Sequence, residues 1–216
     1  IVLPESAIPA PKESLSFYLS ELTHILDTND SALLVGIPSI ASNNDSPMYY
    51  TAMLALGQRS NKALYAKLHL VPFGEYIPTA LSFLQAFDFA QVMNIKPGLN
   101  THRGITIDSQ DIAALICYEV AFPELLRSKY STANIMVSIS DDGWFGHSLA
   151  AYQQRQMAQF RSKEMGRYQI LSNNDGLSSI INNQGQIVHS LSPHSSGVLR
   201  GEIFSASGQT SWMRFG

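Results

Sequence analysis

Branched and apolar residues crowd into four short runs along the chain: ALLVGIPSI (32–40), ALYAKLHLV (63–71), IAALICYEV (112–120) and NIMVSISDD (134–142). Each has the length of a strand and ends near polar or turn residues, the pattern of strands buried in a core. Two other stretches, KESLSFYLSELTHIL (12–26) and AAYQQRQMAQFRSKEMGRY (150–168), repeat their apolar positions every three or four residues and predict helices that lay one face on a sheet. From residue 168 the rhythm changes again. YQILSNNDGLSSIINNQGQIVHSL sets short apolar segments between Asn-Asp-Gly and Asn-Gln-Gly turn signals and predicts a hairpin or meander. The fold class is mixed α/β. An αββα sandwich, two sheets with helices outside, accommodates both the buried runs and the hairpin-rich end, but periodicity alone does not select it.

With 216 residues, 45% hydrophobic and 14% charged, the chain can bury one sizeable core, so 1–216 reads as a single domain. A net charge of −3 without blocks of like charge offers no basic surface, and nucleic acid is not an expected partner. The lone cysteine, Cys117, cannot form an intrachain disulfide, and a single thiol in an enzyme-like chain is a candidate nucleophile. There is no CxxC or His-rich spacing, so no metal and no cofactor is expected. No apolar run approaches the roughly twenty residues needed to cross a bilayer, and no signal-peptide pattern opens the chain. The opening IVLPESAIP lacks an initiating methionine and reads as the end of a buried strand in an excised piece of a longer protein.

Three polar residues stand where apolar runs end: Glu5, Lys67 and Cys117. In α/β folds, strand ends are where functional side chains gather. A thiol must lose its proton to attack a carbonyl. A carboxylate can take that proton, and an ammonium favours the thiolate and donates to a developing oxyanion. The alternative is structural: Glu5 caps the segment after it, Lys67 snorkels along the sheet, and Cys117 fills core space. Spacing leaves both readings open.

The blocks LPESAIP, KLHLVPFGEYIP, ICYEVAFPE and SISDDGWFG, in this order, resemble the nitrilase-like catalytic domain of the bacterial apolipoprotein N-acyltransferase family. The similarity continues through QMAQFRSKEMGRY and SNNDGLSSIINNQGQI, covering the chain from Glu5 to about Val188. The resemblance implies a nitrilase-like αββα sandwich, here without its first strand and helix. It also implies a triad of Glu5 as general base, Lys67 as oxyanion stabiliser and Cys117 as nucleophile. Glu75 and Glu119 match further essential carboxylates of the family; without the resemblance either would read equally well as half of an ion pair. Tyr118 matches the Cys-Tyr-Glu motif, and its backbone N–H follows the nucleophile, where it could donate to the oxyanion. Phe73, Tyr76, Trp144 and Phe145 are candidates for an apolar mouth that takes acyl chains, or are ordinary packing.

The implied activity moves an acyl chain from a phospholipid donor, through a cysteine thioester, to the N-terminal amine of a diacylglyceryl-cysteine apolipoprotein. The implied location is the bacterial inner membrane with this domain on the periplasmic side, anchored by membrane helices outside this chain. Two other readings stand beside it: a soluble carbon–nitrogen hydrolase that uses the same triad and gives the acyl group to water, and an inactive interaction domain on the same fold. The chain departs from the family in three places. Asp141 stands where an Asn is common, Tyr152, Gln153 and Gln154 replace a Trp-Gln-His-like stretch, and Asn174, Asp175 and Gly176 replace Asn-Asn-Gly. These leave the triad intact and put details of substrate recognition in question.

Overall fold

Alternate residues of the first apolar run point to opposite faces, as the two-residue period of a strand requires. A computed structural model describes residues 1–43, 46–78, 95–99 and 104–216. In it β1 (Leu33–Asn43) pairs antiparallel with β2 (Ser46–Leu56), and β2 with β3 (Leu64–Ala66), to make a three-stranded sheet. Leu34, Met53, Ala55 and Tyr65 turn to one face and join the main core. Leu33, Val35, Ile37, Leu54 and Leu56 turn to the other, where Leu19, Leu22 and Leu26 of α1 (Ser16–Thr28) cover them.

The second sheet holds β4 (Ile105–Ile107), β5 (Gln110–Ile116), β6 (Ile135–Asp141), β7 (Gln169–Asn174), β8 (Ser179–Ile181) and β9 (Ile187–Ser190), in that spatial order. β5, β6 and β7 run parallel and their outer neighbours antiparallel. Parallel neighbours need crossovers, and α2 (Pro123–Lys129) and α3 (Ala150–Met165) supply them. Residues 112–116 of β5 are all buried, as expected of a strand covered on both faces. Ala158 of α3 packs on Leu171 and Ile181, while Ile112, Ala114 and Met136 share the main core with the first sheet. The layers are therefore helix, sheet, sheet, helix: the αββα sandwich that the resemblance implied. A last short helix, α4 (Ser211–Phe215), adds Met213 to the core. Among the described residues no helix is long and apolar enough to cross a membrane.

Several boundaries differ from the sequence pattern. The run 63–71 is strand only over β3, because the N–H groups of Leu68 and His69 turn from the ladder to the Glu119 carboxylate. The run 112–120 is strand only to Ile116 and then tightens into a helical turn, Cys117–Ala121. The helix expected over 12–26 begins at Ser16, and the one over 150–168 ends at Met165, where Gly166 takes the left-handed conformation, φ +63°, that closes helices. β2 has no counterpart among the runs: Ala, Met and Leu, which fill its second half, carry little strand preference.

The segment before α1 positions Glu5. Leu34 N–H donates to Ile1 O, Leu3 N–H to Leu34 O and Gly36 N–H to Pro4 O, so residues 1–4 lie along β1. Gly36 permits this approach, since a Cβ there would collide with Pro4 O and come within 2.5 Å of Glu5 Cα. Gly36→Ala is expected to destabilise the fold by about 1–3 kcal/mol through overpacking. Gly104→Ala, where a Cβ meets nothing within 4 Å, is the control. Urea denaturation compares the two, and equal midpoints would contradict the close approach.

Candidate functional site

Lys67 lies one residue past β3, its N–H donating to Thr51 O (2.9 Å) and its carbonyl accepting from Gly98 N–H (2.7 Å). Only 1% of it is exposed, so its head does not snorkel to water. Its Nζ instead sits between two carboxylates, 2.9 Å from Glu75 Oε1 and 3.7 Å from Glu5 Oε1. Glu75 also closes its own loop, accepting Val71 N–H on Oε2 (2.7 Å). Glu5 is 8% exposed, and its Oε2 accepts the N–H of Asp141 at the end of β6 (3.1 Å). Glu5 thus joins the ends of both sheets.

Cys117 follows directly on β5. Its φ of +51° is left-handed, a conformation that costs a non-glycine residue about 1–3 kcal/mol and persists only where the surroundings impose it. The fastening is Glu119, which is fully buried. Its Oε2 accepts Ile116 N–H (2.8 Å), and its Oε1 accepts Tyr65 Oη (2.8 Å), Leu68 N–H (2.7 Å) and His69 N–H (3.2 Å). One carboxylate therefore clamps the turn that carries Cys117 to the segment that carries Lys67. Glu119 lies behind the Cys117 turn.

Charge in the site follows from this packing. Burial raises Glu5, Lys67 opposes it, and the nearby charges of Glu75 and Asp141 add to the rise, leaving Glu5 at about 7. The shorter contact of Lys67 is with Glu75, which explains why the ammonium only partly offsets the burial of Glu5. Burial works against the Lys67 charge, but Glu5, the Cys117 sulfur and Glu75 outweigh it and hold its pKa above the ordinary value. The Cys117 thiol is pushed up to about 12, first by burial and then by Glu5, against the pull of Lys67 and of the Ser140 hydroxyl. Glu119 is also raised by burial, against the hydrogen bonds it accepts. Burial thus favours the thiol form of Cys117 at neutral pH, with Glu5 and Lys67 as its charged neighbours.

The aromatic candidates stand on loops rooted in these contacts. Phe73 and Tyr76 flank Glu75, and Trp144 and Phe145 form the turn Gly143–Phe145 that follows Asp141 and Asp142. All four are exposed, Trp144 by 81%. Tyr118 is exposed at its ring and meets Phe122 edge-on at 5.0 Å, and Phe122 stacks on His69 at 4.2 Å. A cavity of about 410 Å³ lies at another place, lined by Ile1, Val2, Leu34, Ile112, Val137 and Ile170. Among the described residues no group of three or more His, Cys, Asp or Glu side chains could hold a metal ion.

The sequence reading gave no role to the polar neighbours on the far strands: Ser140 and Asp142 on and after β6, Asn173 on β7 and Gln154 on α3. Ser140, Asp142 and Gln154 are buried. The available signal was serine at alternate positions of an otherwise apolar strand, Ser138 and Ser140, which marks one face of β6 as polar yet interior.

Comparison with known proteins agrees with this fold. The chain is 32% identical to the apolipoprotein N-acyltransferase of Pseudomonas aeruginosa and 34% identical to that of Azotobacter vinelandii; each match covers all of this chain and 42% of the relative. The one from Coxiella burnetii is 32% identical over all of this chain and 44% of its own. The chain thus spans less than half the length of these relatives. Among solved structures, an amidase from Nesterenkonia sp. AN1, determined with the acetamide moiety of fluoroacetamide added covalently at its active-site cysteine, shares the fold with a TM-score of 0.65. It is 16% identical, over 99% of this chain and 79% of its own. Nit3 of Saccharomyces cerevisiae, a member of the nitrilase superfamily, superposes with a TM-score of 0.59 at 18% identity, over 91% of this chain and 66% of its own. The family profile described as carbon-nitrogen hydrolase matches residues 1–210, nearly the whole sandwich and every residue of the Glu5, Lys67 and Cys117 cluster, and the chain belongs to that family.

Proposed function

We propose that the chain is the catalytic domain of an N-acyltransferase that carries an acyl group on Cys117 from a phospholipid to the N-terminal amine of a diacylglyceryl apolipoprotein. The observation that carries the proposal is the buried Lys67 ammonium, held between Glu5 and Glu75 within the electrostatic reach of the Cys117 sulfur. Glu5 takes the S–H proton as the sulfur attacks the ester carbonyl, and Lys67 and the Tyr118 N–H bear the oxyanion. The N–H groups that open a helical turn have no carbonyl partner inside it, which suits Tyr118 to this task. Collapse expels the lysophospholipid oxygen, which takes the proton from Glu5 and leaves a thioester. The incoming amine then gives its proton to Glu5, attacks the thioester carbonyl and releases the sulfur, which recovers the proton. Glu75 keeps Lys67 charged, and Glu119 holds the two halves of the site in register.

Exposed Trp144, Phe145, Phe73 and Tyr76 favour a lipid donor over a small soluble amide, since rings at the rim can pack on acyl chains at low ordering cost. Membrane attachment at the bacterial inner membrane, with this domain on the periplasmic side, would come from parts of the protein outside this chain. The test uses the full-length protein. Its acyl-enzyme is expected to persist in buffer and to discharge when a diacylated lipopeptide with a free amino terminus is added, with ping-pong kinetics. Loss of the acyl group as fast in buffer as with lipopeptide would instead identify a hydrolase.

A further inference from the structure

Cys117 has neighbours beyond Glu5 and Lys67. The Asp142 carboxyl group, nearly fully buried, accepts from Asn173 Nδ2 (2.6 Å) on one oxygen, and Ser140 Oγ lies 3.1 Å from the other. The Gln154 side-chain amide, reaching in from α3, spans this group. One end lies 2.8 Å from Ser140 Oγ and 3.9 Å from Cys117 Sγ. The other lies 2.9 and 3.1 Å from the two Asp142 oxygens. An amide's oxygen and nitrogen have the same shape, so the partners decide which end is which. Against a carboxylate the end must be the NH2, and the oxygen then faces Ser140 and the sulfur. In the reverse arrangement the oxygen accepts from Asn173 Nδ2 (3.1 Å) but is pressed on two carboxylate oxygens, a contact that is relieved when residue 142 carries a hydrogen to donate.

We infer that Gln154 is a positioning residue that couples Asp142 to the nucleophile: with Asp142 as carboxylate, the Gln154 oxygen is turned toward the sulfur and accepts its S–H, holding Cys117 as a thiol until Glu5 removes the proton. The other charged groups that face the pair are Glu5 and Lys67 at the sulfur, and Asp141 and Asp175 beside Asp142. The inference rests on Cys117 being the nucleophile. It concerns the resting sulfur, however, and is measured without any acyl substrate, so its failure and that of the acyltransferase reading are separable.

The measurement is the rate of iodoacetamide alkylation at the Cys117 peptide of the full-length protein, followed by mass spectrometry across about pH 6 to 9. In Asp142→Asn the new amide can donate to the Gln154 oxygen, Gln154 reverses, and its N–H faces the sulfur. Alkylation is expected to quicken by about 10-fold throughout that range, since well below the thiol pKa the rate follows the small thiolate fraction. In a Gln154→Met background, Asp142→Asn changes only the general charge, and the gain is expected to shrink to about 3-fold or less. An equal gain in both backgrounds, or none in either, overturns the inference. If Asp142→Asn does not fold, Gln154→Met alone decides. Loss of the acceptor for the S–H is expected to speed alkylation, and an unchanged or slower rate overturns the proposal.

Discussion

Cys117→Ala is expected to abolish acyl capture, a loss on the order of 10⁴-fold or more, because the sequence has no second thiol to offer and removing a nucleophile costs on that scale. The fold is expected to survive, since Cys117 is only partly buried at the margin of the core and the change removes a single sulfur. A companion variant separates chemistry from strain. Cys117→Gly suits the left-handed φ of +51° and is expected to be as inactive as Cys117→Ala yet more stable than it, by about 1 kcal/mol. Urea denaturation and single-turnover acylation measure the two quantities. A glycine variant less stable than the alanine one would mean that the turn at residue 117 is not strained, and residual turnover in either would remove Cys117 from the mechanism.

Lys67→Met is expected to lose both stability and activity. The ammonium is the shared partner of Glu5 and Glu75, and deleting it leaves two carboxyl groups facing one another in a buried site. Breaking a buried ion pair on one side typically costs about 3–5 kcal/mol. Part of that cost is relieved because Glu5 already lies at about 7 and can bind a proton, so the variant is expected to be less impaired in stability at acid pH than at alkaline pH. The sign follows from Glu5: without Lys67, which lowers it, its pKa rises further, so the folded state binds a proton more tightly and gains relative stability as pH falls. Loss of an oxyanion donor lowers the acylation rate by a further factor of about 10²–10³. A Lys67→Met protein with wild-type stability and more than a tenth of the wild-type rate would leave Lys67 without the assigned role. Gly36→Ala is a milder version of the same test, because it shifts Glu5 while keeping every site residue.

The parts of the fold that were legible in the sequence are those whose burial is continuous. β1, β5 and β6 announce themselves as apolar runs, and the Asn-Asp-Gly and Asn-Gln-Gly turns mark the meander of β7, β8 and β9. β2 was hidden because its pairing with β1, rather than its own residue preferences, makes it a strand. The break of 112–120 at Cys117 was hidden for a related reason. The carboxylate that imposes it, Glu119, bonds to Tyr65, Leu68 and His69, some fifty positions away in sequence. Glu5, Lys67 and Cys117 were visible as polar residues at the ends of apolar runs, but nothing in their spacing distinguished a site from a cap, a snorkelling lysine and a core thiol. Resemblance supplied the triad, and the geometry then gave Glu75 and Glu119 different tasks. Gln154 was visible only as a departure from the family, and Ser140 and Asn173 only as parts of matching blocks, so none of the three was given a task. Their polarity reads as solvent exposure until a structure folds them inward around Asp142.

The central claim is that Cys117 carries the acyl group. The most direct test incubates the full-length protein with phospholipid and no acceptor, then reads the mass of the peptide containing Cys117. The account predicts one acyl chain on Cys117, removable by neutral hydroxylamine as a thioester is, and absent from Cys117→Ala. An acyl group that persists in Cys117→Ala, or a wild-type Cys117 peptide that stays unmodified while transfer to lipopeptide proceeds, would contradict it.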